Sequence, residues 1–230
     1  TLAHYLLAYE SLFARDTARL FDAYPRVNIS PLGSAAFAGT GFAIDRNLTA
    51  AYLGFANPME NSMDAVANRD FIAETLSSLS ILLTNLSRIC EELILLSTSF
   101  VRFVDLNDAY CSTSSIMPQK KNPDTLEIMR AKSAAVIGEL TAALTLIKSL
   151  PMSYNRDLQD LNPHLWNAFR QTNMSLPLLA EIISTAEFNV PVMKKQASAG
   201  NTTATELADF LVRENGIPFL GLCLGMQMAV

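Results

Sequence analysis

The feature that most constrains this chain is one long apolar stripe. From about Ser62 it runs through Phe71, Leu76, Leu79, Leu83, Leu86, Cys90, Leu93 and Leu96, and most of the steps between these residues fit one face of a helix. At about 1.5 Å of rise per residue, some forty residues of helix would span roughly 60 Å. A helix of that length has to pack along other long helices, and the sequence supplies them. Leu6, Tyr9, Phe13, Leu20 and Tyr24 form an earlier stripe, which Pro25 brings to an end. Leu126, Met129, Ser133, Val136, Leu140, Leu144 and Ile147 form a later one, with Pro123 suited to its first helical position and its end near Pro151. A further long segment, from about Asp157 to Phe188, should be interrupted or kinked at Pro163 and Pro177. A short helix over Thr203 to Glu214 follows. No alternating strand pattern precedes Phe219, so the fold class is all-α, a long-helix bundle.

Half of the 230 residues are hydrophobic and only 17% are charged, which excludes a disordered chain. High mean hydropathy with few glycines and aromatics suggests surface buried against other subunits, so an oligomer is expected. The net charge of −5, with Lys and Arg scattered, gives no footprint for nucleic acid and points to a small-molecule substrate. The most apolar segment, Leu76 to Phe103, contains Asn85, Arg88, Glu91 and Glu92, each costly in lipid. It therefore reads as a buried core helix, with no membrane span and no visible secretory signal. Cys90, Cys111 and Cys223 are in no metal-ligand spacing, and only His4 and His164 could assist them. That pattern favours a reducing, cytoplasmic setting and no structural metal.

Two loops stand out. Residues 26–48 hold Pro31, Gly33, Gly39 and Gly41 among small residues, too long a connection to be a simple turn. A functional loop and an irregular packing segment account for it equally well. Between the second and third long helices, Cys111 to Asp124 gathers hydroxyls, the two ammonium groups of Lys120 and Lys121, and a helix start. Backbone N–H groups, the positive end of a helix dipole and lysine all suit an anion. A solvated charge run before a helix explains the same residues equally well.

The second loop, Ser114-Ser115-Ile116-Met117-Pro118-Gln119-Lys120-Lys121-Asn122-Pro123, resembles the signature of the fumarase, aspartase and argininosuccinate lyase superfamily. Its Gln-Lys-Lys-Asn-Pro portion looks like argininosuccinate lyase. Further segments are similar to that family: Asn28 to Ser34 with Ala38-Gly39-Thr40 and Ile44-Asp45-Arg46, Asn61 to Ala65 with Arg69-Asp70-Phe71, and Tyr154 to Gln159. Together they extend to about Phe219. The resemblance implies reversible elimination of argininosuccinate to fumarate and arginine, in arginine biosynthesis, without a cofactor. It implies that Ser114 is the base, that Lys120 stabilises the doubly negative aci-carboxylate, and that Asn122 donates a hydrogen bond to substrate. Glu127 stands where the family's acid orients a catalytic histidine, and Arg69, Tyr154 and Gln159 match positions that contact substrate. A helix-dipole partner, a surface ion pair and a packed amphipathic ring account equally well for Glu127, Arg69 and Tyr154. The resemblance also implies a homotetramer whose active sites each draw on three subunits. Thr113 in place of glycine and Asn162 in place of lysine depart from the family pattern. Alternatives are a sibling lyase acting on adenylosuccinate, fumarate or aspartate, and a non-catalytic helical assembly protein like the lens crystallins.

The resemblance places the family's catalytic histidine in a segment before Thr1, and neither His4 nor His164 matches it. Little or no turnover is expected from this chain alone. At the other end, Ile217 to Gln227 resembles the nucleophile elbow of class I glutamine amidotransferases, closest to CTP synthase, with Cys223 as the would-be nucleophile. A glutaminase is disfavoured because the partner residues are missing, and a mosaic junction near Ile217 is suspected. The expected organisation is a bundle domain over 1–190, the start of a small helical domain over 191–219, and an amidotransferase-like tail over 220–230.

Overall fold

The computed structural model describes residues 2–199 and 203–215. Its helices are α1 (Leu2–Val27), α2 (Arg46–Tyr52), α3 (Ser62–Ala67), α4 (Asp70–Ser97), α5 (Asp124–Ile147), α6 (Leu161–Thr185), α7 (Val190–Ala197) and α8 (Ala204–Asn215). Three two-residue strand pairings accompany them. These are too short to leave an alternating pattern, and the chain is all-α. The amidotransferase-like tail, Cys223 and the suspected junction lie outside the described residues. Among the described residues, no helix is long and apolar enough to cross a membrane.

The chain divides into two compact units. The larger, residues 1–95 with 106–185, holds the long helices in alternating directions, as their cross-links show. Arg26 pairs with Glu74, and Asn85 Nδ2 donates to both carboxylate oxygens of Asp16 at 3.1 and 2.8 Å, so α1 runs antiparallel to α4. Ser80 Oγ donates to the Val136 carbonyl at 3.3 Å and Arg130 pairs with Glu91, so α5 reverses again. His164 contacts Glu139, which sets α6 against α5. Between these helices, Leu76, Leu79 and Leu83 meet Val136, Leu161 and Ala168 in one core, with Phe13 and Leu20 packed on it from α1. The apolar stripes read from the sequence supply these residues, which is why the helices assemble.

The forty-residue helix is corrected to two. Asn68 adopts an extended conformation (φ −94°, ψ 148°) after α3, and α4 restarts at Asp70. The 28 residues of α4 span roughly 42 Å rather than 60. Pro25 lies inside the last turn of α1, where the helix continues to Val27, and α6 runs through Pro177 without a break. Pro163 falls in the first turn of α6, where its missing N–H costs nothing. α5 ends at Ile147, ahead of Pro151. In the loop read over residues 26–48, Gly33 takes φ +82° and a Cβ there would meet Arg46 Cγ at 2.7 Å. Arg46 holds this segment by donating to the Leu32 carbonyl at 3.1 Å and to Ser34 Oγ at 3.2 Å.

In the smaller unit, Val104–Asp105 pairs antiparallel with Glu187–Phe188, and the Asn189 N–H bonds to the Phe103 carbonyl at 2.9 Å. α7 follows with Asn189 as its N-cap and Pro191 in its first turn, a start that the sequence reading had missed.

Candidate active site

The loop before α5 is built as a small hairpin. Ser112 and Thr113 pair antiparallel with Asn122 and Lys121. The Ser114 N–H closes the loop on the Lys120 carbonyl at 3.2 Å, and the Lys120 N–H bonds to the Met117 carbonyl at 2.8 Å. Within this turn the Ser114 Oγ accepts two backbone N–H groups, from Ile116 at 3.3 Å and Met117 at 3.2 Å. A serine makes this local turn readily. Chemically, the same two donors stabilise negative charge on Oγ. Ser114 is half-buried, Ser115 to Lys120 are exposed, and Asn122 is half-buried on the returning strand.

The two ammonium groups are not equivalent. The Lys121 ammonium is taken up by Asp108 at 2.7 Å and by the Leu106 carbonyl. Lys120 forms no ion pair among the described residues, which leaves one cation of the expected two for an anion. α5 begins at Asp124 with Pro123 in the cap position and no side-chain cap. Its first turn holds Asp124 and Glu127, whose carboxylates already meet the positive end of the dipole. Asp124 Oδ1 accepts the Ser112 N–H at 2.9 Å, and Thr125 Oγ1 donates to the Tyr110 carbonyl at 2.5 Å. Glu127 is exposed one turn into the helix.

The remaining candidates sit elsewhere. Arg69, in the break between α3 and α4, donates from Nη1 to the carbonyls of Asn68 at 2.5 Å and Val66 at 3.3 Å. It has no carboxylate partner among the described residues, so the surface ion pair is not formed. Burial holds its guanidinium pKa below the ordinary value. It lines a cavity of about 110 Å³ with Ile147, Pro151, Met152 and Leu158. Close in sequence to that wall, Gln159 Nε2 donates to Tyr154 Oη at 3.1 Å, and both residues are exposed rather than packed. Ile147 ends α5, whereas Ser114 to Glu127 surround its start. The 24 residues of α5 separate these two ends by roughly 36 Å. The structure thus collects the seven candidates into two groups: Ser114, Lys120, Asn122 and Glu127 at one end, and Arg69, Tyr154 and Gln159 at the other.

Sequence reasoning missed the supports of the loop, Asp108, Asp124 and Thr125. Asp124 alone carried a signal, as an acid just after Asn122-Pro123. It also left His164 without a role, although His164 Nδ1 lies 2.5 Å from Glu139 Oε2 and Asn167 bonds to the other oxygen of that carboxylate. Among the described residues, no cluster of three or more His, Cys, Asp or Glu is arranged to hold a metal ion.

A lyase family model matches residues 1–138, and the chain belongs to that family. Among its relatives, the argininosuccinate lyase of Methanocorpusculum labreanum is 92% identical over 219 residues, 95% of this chain and 44% of that protein. The chain therefore spans less than half the length of this relative. A crystal structure of EDDS lyase in complex with formate superposes with a TM-score of 0.81 at 35% identity, over 95% of this chain and 43% of the other. The class II fumarase of Schistosoma mansoni, at 17% identity and a TM-score of 0.80 over 93% of this chain and 49% of the other, shares the fold.

Proposed function

We propose that this chain carries part of the active site of an enzyme that cleaves argininosuccinate to fumarate and arginine, in a cytoplasmic pathway of arginine synthesis. In the elimination, Ser114 Oγ takes the proton from the carbon next to a substrate carboxylate. The electron pair left on that carbon moves into the carboxylate as an aci-carboxylate. As the carboxylate re-forms, the bond to the arginine nitrogen breaks and that strongly basic guanidine nitrogen takes a proton from water. The single observation that carries this reading is the pair of N–H groups on Ser114 Oγ. A serine hydroxyl is a poor base, and donors fixed on its oxygen stabilise the oxyanion that acts as one.

Lys120, exposed and without an ion pair, neutralises the extra charge of the aci-carboxylate, and Asn122 donates a hydrogen bond to substrate. Glu127 orients a histidine supplied by another segment. Arg69 binds a substrate carboxylate, supported by its half-buried guanidinium and the cavity beside it, while Tyr154 and Gln159 present a joined pair of polar groups to the same ligand. No cofactor takes part. Because the two groups stand some 36 Å apart along α5, residues of one chain serve different sites, and we infer a homotetramer in which copies contribute to each other's sites. The name and identity of the Methanocorpusculum labreanum relative favour argininosuccinate over adenylosuccinate, fumarate or aspartate.

The test supplies this chain with the upstream segment of that relative on a second polypeptide and follows fumarate by its ultraviolet absorbance. Turnover of argininosuccinate is expected, with a loss on the order of 10²-fold or more in Ser114→Ala. Turnover that Ser114→Ala leaves intact removes Ser114 as the base.

A further inference from the structure

We propose that Lys121 is a positioning residue: its ammonium clamps the returning strand of the loop onto the 106–108 segment and so fixes Ser114 and Lys120 relative to one another. The inference rests on the roles given above to Ser114 and Lys120, and it reassigns a lysine that charge alone would make a second anion ligand. Lys121 stands opposite Thr113 in the hairpin, one residue from Ser114 on one side and next to Lys120 on the other. Its side chain leaves the loop altogether. Nζ donates to the carbonyl of Leu106, a residue only 4% exposed, and lies 2.7 Å from Asp108 Oδ1.

The Leu106 and Asp108 contacts differ in weight. Asp108 is 92% exposed, and an ion pair in water holds little. The Leu106 carbonyl belongs to a residue packed in the interior, so it is a fixed point. An ammonium held there cannot also approach a substrate carboxylate in the loop. What it does instead is set where the strand carrying Lys120 and Asn122 returns. Through the Ser114 N–H to Lys120 carbonyl bond at 3.2 Å, it also sets where Ser114 sits. The Ser112 N–H donating to Asp124 Oδ1 and Thr125 Oγ1 donating to the Tyr110 carbonyl brace the outgoing strand in the same way. Lys121 braces the return.

Lys121→Met keeps the apolar stem and removes the ammonium; Lys121→Arg keeps a donor. Amide hydrogen exchange of the whole 230-residue chain reads the loop directly. In Lys121→Met the Ser114 and Lys120 amides are expected to exchange about ten-fold faster, with α4 and α5 amides and the melting temperature unchanged. Lys121→Arg restores the slow exchange, and Asp108→Asn has a smaller effect. In the two-polypeptide assay, Lys121→Met lowers kcat on the order of ten- to a hundred-fold with little change in KM. Unchanged loop exchange with a raised KM makes Lys121 a substrate ligand and overturns the proposal. Faster exchange throughout α4 and α5 makes it a general stabiliser and overturns it too. Absence of turnover in every variant, the unsubstituted chain included, counts against the lyase reading alone, since the exchange comparison decides the clamp by itself.

Discussion

Single residues in this bundle are sorted by burial more sharply than by type. Cys90 is fully buried on α4, and the loss of hydration pushes its thiol up to about 12 despite the opposing pull of Arg130. At pH 8 roughly one molecule in ten thousand carries the reactive thiolate there. Cys111, half-buried beside the loop, is accessible by comparison. Iodoacetamide at pH 8 is expected to alkylate Cys111 and leave Cys90 unmodified in the folded chain, as read by peptide mass spectrometry; rapid labelling of Cys90 contradicts its burial. Residue types alone could not have separated these two thiols, nor Lys120 from Lys121. The distinction between the lysines depends on a carbonyl fifteen positions earlier in the chain, and it exists only once the strand returns. Ser114 was named from the sequence by its motif. Its two N–H donors come from the turn geometry, which residue identities do not print.

At the scale of elements, helix pairs are joined by polar contacts laid over the apolar stripes. Arg26 bonds the Glu74 carboxylate and holds its pKa below the ordinary value. A depressed carboxylate pKa means that the unfolded chain binds the proton more readily. The α1–α4 tie is therefore fully present above the ordinary Glu pKa of about 4.3 and is lost as pH falls through the lower folded value. The protection of amides in the last turns of α1, taken relative to their intrinsic exchange rate at each pH, is expected to fall below that range, and Glu74→Gln should flatten this dependence. Deeper in the same helix pair, Asp16 is 1% exposed and accepts both bonds from Asn85. Asp16→Ala removes both bonds from the half-buried Asn85 amide and the Arg19 ion pair at 2.6 Å, at a cost of about 1–3 kcal/mol, seen as a lower urea midpoint with an unchanged slope. The long helices themselves were legible, because a three-to-four spacing sustained over twenty residues leaves few other solutions. The break at Asn68 and Arg69 was not. The apolar stripe resumes in phase at Phe71, and Asn68 carries no proline or glycine to announce an extended residue. That break is what exposes Arg69 to the cavity.

For the whole molecule, the spacing of the two candidate groups is the decisive quantity. A chain cannot bend a straight 24-residue helix to bring its ends together, so if Ser114 and Arg69 act on one substrate molecule they come from different copies. The surface agrees with such an assembly. Phe21 on α1, Ile128 and Ile137 on α5, and Trp166 and Met174 on α6 are all exposed, an apolar load that a lone bundle rarely leaves in water. The sequence carried the bundle in its hydropathy, but not the separation, which required knowing that α4 and α5 are antiparallel. The consequence is a mixing experiment. Ser114→Ala and Arg69→Ala variants, each completed with the upstream segment, are expected to show almost no turnover of argininosuccinate alone. Co-assembled by refolding together, they recover a measurable fraction of the activity, because some sites then receive Ser114 from one variant and Arg69 from the other. A site made within one chain gives no such recovery, since every copy in the mixture lacks one of the two residues. Recovery that depends on co-assembly, and is absent when the finished proteins are merely combined, assigns the two ends of α5 to different copies of the same site.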